Sequence, residues 1–192
     1  MKQFSKFETA QIKKGPVFDP LPKGAYVIKI KRAEECDNKN SAGSHIKVAF
    51  DIAEGEYKDF YQKQFNTLAQ EDKHWPYDAI HNLPAPNDDS PQWMIDSFGT
   101  FVAALEDSNP NYHWDWNESR WKGLVLGALF RIEQTESNGN VYDHTRPFWF
   151  RKAQDVRDGK YGRLPKDKLI EAKKSTDDFI TVSKNAEDEI PF

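Results

Sequence analysis

From Ala25 to Ala33 the side chains alternate, with Tyr26, Ile28 and Ile30 on one parity and Lys29 and Lys31 on the other. A period of two lines one face of a strand and scatters around a helix, so this run predicts a half-buried β-strand with a basic outer face. The turn-forming stretch DNKNSAG (37–43) leads to a second alternating run, in which Ile46, Val48, Phe50 and Ile52 point one way and Lys47, Ala49 and Asp51 the other. Two antiparallel strands joined by a turn follow.

Further along, the turn at Gly55 predicts a third strand over Tyr57–Phe65, although EYKDFYQKQF carries aromatics at both parities and leaves its inward face open. Residues 66–93, rich in Asn, Asp and Pro, read as a long irregular insertion, either a lid or a solvated loop. Ile95, Phe98, Val102 and Leu105 then recur at helical spacing, which predicts a helix over Met94–Leu105 stopped by Ser108-Asn109-Pro110. A fourth strand is expected over Trp121–Glu133, with Leu124, Leu126, Ala128, Phe130 and Ile132 on one face. The turn ESNGN tolerates positive φ and predicts a hairpin to a fifth strand from Val141 to about Ala153. Phe148 and Phe150 share one parity of that strand, and Trp149 and Arg151 the other.

Three strands, a helix and two strands is the element order of an OB-fold-like five-stranded barrel, with the helix between strands 3 and 4. The expected fold is therefore mainly β. Residues 1–23, ending in GPVFDPLPKG, read as an extended lead-in, 24–174 as the ordered domain and 175–192 as a disordered acidic tail. Within the domain's basic end, Asp167–Lys173 is expected to form a short helix at most.

Charge and composition narrow the function. The chain carries a net charge of −4, which on its face argues against a nucleic-acid ligand. The last 18 residues hold five acids and one base, also a net of −4, so residues 1–174 are neutral and leave room for a basic groove. Aromatics make up 14% of the chain, more than one small core needs, so some are expected at the surface. The single cysteine, Cys36, excludes an internal disulfide and a cysteine-based zinc site within one chain, and the expectation is a reducing cytoplasm. No apolar run approaches the roughly 20 residues that span a bilayer, and MKQFSKFETAQIKK lacks the apolar stretch of a signal peptide.

The sequence ends in Glu187-Asp188-Glu189-Ile190-Pro191-Phe192. This end resembles the C-terminal tip of bacterial single-stranded-DNA-binding proteins, in which acids precede a terminal Ile-Pro-Phe. The resemblance implies a tip, Asp188, Glu189, Ile190, Pro191 and Phe192, that docks on replication and repair proteins: Phe192 in an apolar pocket with its carboxylate on an Arg, Asp188 and Glu189 along a basic ridge. The plainer alternative is a tail that only keeps the chain soluble. In the body, FDPLPKGAYVIKIKRAEE, EGEYKD, SNPNYHWDW and FWFRKAQDVRDGKYGRLPKDKL are similar to an early-region protein family of phages of Gram-positive bacteria, whose members are suspected of binding single-stranded DNA.

A sequence-tolerant site for a single strand needs Lys or Arg along the backbone and aromatics on which bases stack. On an OB barrel the outward positions supply Lys29 and Lys31 from strand 1, Lys47 from strand 2 and Trp149 with Arg151 from strand 5, to which strand 3 adds Tyr57, Tyr61 and Lys63 if that parity faces out. Each has a structural alternative: outward lysines protect sheet edges, and Trp149 could pack under the C-terminal segment. Trp75 and Tyr77 either close over a bound strand or anchor their loop, while Trp114, Trp116 and Trp121 fit the core or a satellite cluster.

The histidines at 45, 74, 81, 113 and 144 lack metal-ligand spacing, the acid pairs Glu71-Asp72 and Asp88-Asp89 lie in the insertion, and no phosphate loop, HExxH or GxSxG motif is present. The expectation is a non-enzymatic protein without metal or cofactor, which coats single-stranded DNA during phage replication or recombination and recruits partners through its tip. Self-association stays open. The competing expectation is an adaptor that mimics the host tip and never touches DNA.

Overall fold

Both alternating runs form the strands they imply. The protein, described by a computed structural model over residues 18–39, 43–68 and 73–170, has β1 at Ala25–Asp37 and β2 at Ser44–Ile52. They pair antiparallel, Ile28 opposite Ile52 and Ile30 opposite Phe50, and all four side chains are buried. The register shifts between Ile30 and Arg32, a bulge that leaves Lys31 as the extra residue and lets Ala33 return to the core opposite Val48.

The expected third strand does not form. Phe60–Thr67 is a helix, α1, and the third strand, β3, is Ile80–Ala85, inside the stretch expected to be an irregular insertion. Aromatics at 57, 61 and 65 recur every four residues, a spacing that lines one face of a helix as well as one face of a strand. The start of α1 is fixed from elsewhere in the chain: the Asp51 carboxylate accepts the backbone N–H groups of Ile52, Tyr61 and Gln62 at 2.9, 3.0 and 3.1 Å. Asp51 was expected to face outward, yet α1 buries it, and burial raises its pKa against the opposing pull of those three donors. In β3, Pro84 costs little because the strand pairs on one side only, with β2.

The long helix, α2, spans Gln92–Ser108, longer at both ends than expected, and buries Phe101, Val102, Ala104 and Leu105. After a 3-10 turn at Glu118–Trp121 come β4 (Val125–Ser137), β5 (Asn140–Arg151) and a short helix, α3, at Ala153–Arg157. Trp121 thus belongs to the turn and not to the fourth strand; it is fully buried, its indole N–H donating to Tyr112 Oη at 2.8 Å.

The sheet is antiparallel and five-stranded, in the order β3-β2-β1-β4-β5. No backbone ladder joins its edges, β3 and β5, among the described residues, so the closed barrel expected from the element order is here an open sheet. Side chains nevertheless cross the gap. The rings of His81 and Phe150 lie 4.9 Å apart, and Asp78, just before β3, reaches His144 Nδ1 at 2.8 Å and Arg146 Nε at 3.4 Å. The core sits on the face holding Ile28, Phe50, Leu126 and Phe130, where Phe130 meets Tyr26 and Phe50 edge-on at 5.3 and 5.9 Å.

On the opposite face α3 approaches β4 so closely that a Cβ on Gly127 would stand 2.5 Å from Val156 Cγ2. An ion pair from Arg157 to Glu54 at 2.6 Å ties α3 to the chain after β2 and holds the Glu54 carboxyl below its usual range. The lead-in is anchored by buried Leu21 and by Tyr26 Oη donating to Pro22 O at 2.7 Å. Around Asp167 the expected short helix is absent from the described residues: Lys168 bonds along β4 instead, its N–H to Ile132 O and its O from Gln134 N, both at 2.9 Å. The tip residues Asp188–Phe192 lie outside the described residues. No helix among the described residues is long and apolar enough to cross a membrane.

Candidate nucleic-acid interface

A second bulge shapes β5. Leu129 pairs with Trp149 and Phe130 with Pro147, which leaves Phe148 as the extra residue. Before the bulge the odd positions Thr145 and Pro147 are buried; after it the buried position is Phe150. Phe148 and Phe150 therefore do not share a face as their parity predicts. Phe148 is turned out and 42% exposed.

Cations sit on these aromatics. The Arg131 guanidinium lies 3.6 Å from the centre of the Phe148 ring, held there by two bonds to Glu133 Oε1 at 2.8 and 2.6 Å. Arg151 lies 5.8 Å from the centre of the half-buried Trp149 ring, and the Phe148 and Trp149 rings are 5.7 Å apart. On the gap side of β5, Arg146 lies 4.1 Å over Tyr77, which is 66% exposed. A guanidinium against a ring leaves the other face of the ring free for stacking and keeps a positive charge beside it. Trp149 and Arg151 are thus brought together as predicted. Arg131, Arg146 and Phe148 escaped the sequence reading because a bulge and a cross-gap contact have no periodic signal.

A smaller group lies where α1 meets β1. Lys31 donates to Gln62 Oε1 at 3.1 Å and stands 5.7 Å over Trp75; Trp75 in turn lies 5.5 Å from Phe65, over which Lys73 stands at 5.8 Å. Trp75 is a loop anchor, its indole N–H donating to Phe50 O at 3.1 Å.

The remaining candidates divide. Lys29 is exposed on β1, between Asp51 and Val125 in the register, and Lys47 is exposed on β2, opposite Glu34 and Asn82. Lys63 is exposed on α1. Tyr57 lies in the turn before α1, half-buried against Tyr26 and Phe60 at 5.9 and 6.1 Å. Tyr61 is 2% exposed and packs edge-on against Phe50, so it cannot stack on a base from the surface. Burial raises its pKa steeply, and its hydroxyl has no hydrogen-bond partner among the described residues. Trp114 and Trp121 join the core aromatics, 5.1 Å apart, whereas Trp116 is 82% exposed at φ 64°. Among the described residues no three His, Cys, Asp or Glu side chains gather into a group that could hold a metal ion.

No curated protein matches the sequence. Residues 5–81, a stretch that includes β1, β2 and α1, are similar to a protein family described as of unknown function, DUF669.

Proposed function

We propose that the protein binds and protects single-stranded DNA without strong sequence preference, in phage DNA replication or recombination, and recruits replication proteins through Asp188–Phe192. The observation that carries this reading is the set of three arginine–aromatic pairs along β5: Arg131 with Phe148, Arg151 with Trp149 and Arg146 with Tyr77. Duplex DNA keeps its base faces stacked inside the helix; an unpaired strand offers them, so alternating cations and rings suit the single strand. Residues 1–174 carry no net charge, so the negative charge facing these arginines is local: Glu133 beside Arg131 and Asp78 beside Arg146.

The strand order and the position of α2 between β3 and β4 support reading the sheet as an OB-type barrel. Curling it until the third and fifth strands meet gives the five-stranded barrel, and His81–Phe150 with Asp78–Arg146 already span that gap. The test is a tryptophan-fluorescence titration with oligothymidine and with duplex DNA at two salt concentrations. Quenching by the single strand that weakens steeply with salt is the expected result; no binding to either refutes the reading. Deleting Asp188–Phe192 should leave DNA affinity intact or raise it, because an anionic tail competes with DNA for the same cations, while partner capture is lost.

A further inference from the structure

A cleft of about 320 Å³ opens between the chain ahead of β1, α1 and the first half of β5. Its walls are aromatic: Phe60 and Tyr61 on one side, Tyr77 and Tyr142 at the mouth. Tyr77 and Tyr142 are 66% and 48% exposed, so two large rings stand in water at the entrance. Between them lie the carboxylates of Asp19, Asp78 and Asp143, beside Gln64, His144 and Thr145. Asp78 spends Oδ1 on His144 and Arg146 and keeps Oδ2 free among the described residues, and the Asp19 carboxylate also has no partner there. The buried Tyr61 hydroxyl, unpartnered, adds one polar group to the lining.

Resting on the single-strand reading, we propose that this cleft holds one unpaired base carrying an exocyclic amine, cytosine foremost. Flat walls fit a base and exclude a tetrahedral phosphate, which the carboxylates of Asp19 and Asp78 would also repel. Cytosine turns its N4 amine, a donor, towards those carboxylates; uracil or thymine presents O4, an acceptor, and leaves lone pairs facing lone pairs. The flanking phosphates stay outside the cleft. The strand as a whole is held without regard to sequence, and this position adds a local bias.

The experiment uses the full chain and oligothymidines of one length carrying a single central deoxycytidine or deoxyuridine, compared by competition anisotropy. Roughly tenfold tighter binding of the cytidine oligonucleotide is expected, the size of one good carboxylate–amine contact. Asp19→Asn and Tyr61→Phe should each move that ratio towards one. Equal affinity of the two oligonucleotides, with ordinary salt-dependent binding of both, overturns the base pocket and leaves the single-strand reading standing. Failure to bind either overturns both.

Discussion

The carboxylate of Asp51 on β2 receives the backbone N–H of Tyr61 on α1 at 3.0 Å, so a helix of eight residues takes its N-terminal cap from a strand ten positions earlier. The residue in the ordinary capping position, Asp59, makes no such bond and sits at φ 58°. Removing the carboxylate would strand donors that water reaches poorly. Asp51→Ala should lower stability by about 1–3 kcal/mol in urea denaturation, and Asp51→Asn, which keeps one acceptor, by less. A midpoint unchanged in both variants would show that α1 holds without this cap.

Gly127 is fixed by space and not by its dihedral angles. Its absent Cβ would meet Val156 Cγ2 at 2.5 Å and the carbonyl oxygens of Arg151 and Lys152 at 3.0 Å. Gly127→Ala should therefore push α3 off the sheet at a cost of about 1–3 kcal/mol, read in thermal denaturation. The second change Val156→Ala removes the nearest atom and should recover part of the loss; no recovery would place the strain at the carbonyls.

Burial lowers the pKa of His81, packed against Phe150, from 6.5 to about 4. In the unfolded chain the ring takes its proton near 6.5, so between those values the unfolded state binds the additional proton. The stability due to neutral His81 is complete above pH 6.5 and is lost as pH falls towards 4. The loss should reach about 2 kcal/mol, and His81→Phe, ring for ring, should flatten that acid limb in urea midpoints taken from pH 7 to 4.5. An equally steep limb in the variant would assign it to carboxylates.

On the interface, Phe148 is exposed enough to be trimmed without opening the core. Phe148→Ala should weaken oligothymidine binding by about 1–3 kcal/mol and move the melting temperature little. Arg131→Ala should instead reduce the slope of log affinity against log salt by about 0.7, the share of one phosphate contact on a single strand. Were neither quantity to change, the aromatic row along β5 would not be where DNA lies.

How far the sequence carried the fold varies with how local the cause is. β1, β2 and α2 were legible because their own side chains carry the period, as in Ile46, Val48, Phe50 and Ile52. α1 was not, since its cap lies on another element and its rings at 57, 60, 61 and 65 suit either reading over so short a span. β3 hid behind Asn82 and Pro84, residues that mark loops except on a sheet edge. In the interface, Trp149 and Arg151 were legible by parity, whereas the bulge that turns Phe148 outward depends on where β4 sets its register. Tyr61 shows the reverse case, an aromatic that an outward-facing strand register would expose and that helix formation carries into the core.

Among the described residues the gap between β3 and β5 is bridged by Asp78 on His144 and Arg146, by Arg146 over Tyr77 and by the rings of His81 and Phe150, with no main-chain bond across it. Separating the two edges therefore breaks side-chain contacts alone and leaves every ladder of the sheet intact. If DNA lies along Phe148 and Trp149 on the outer side of β5, the seam need not open to admit it, and the side-chain bridge serves the sheet alone.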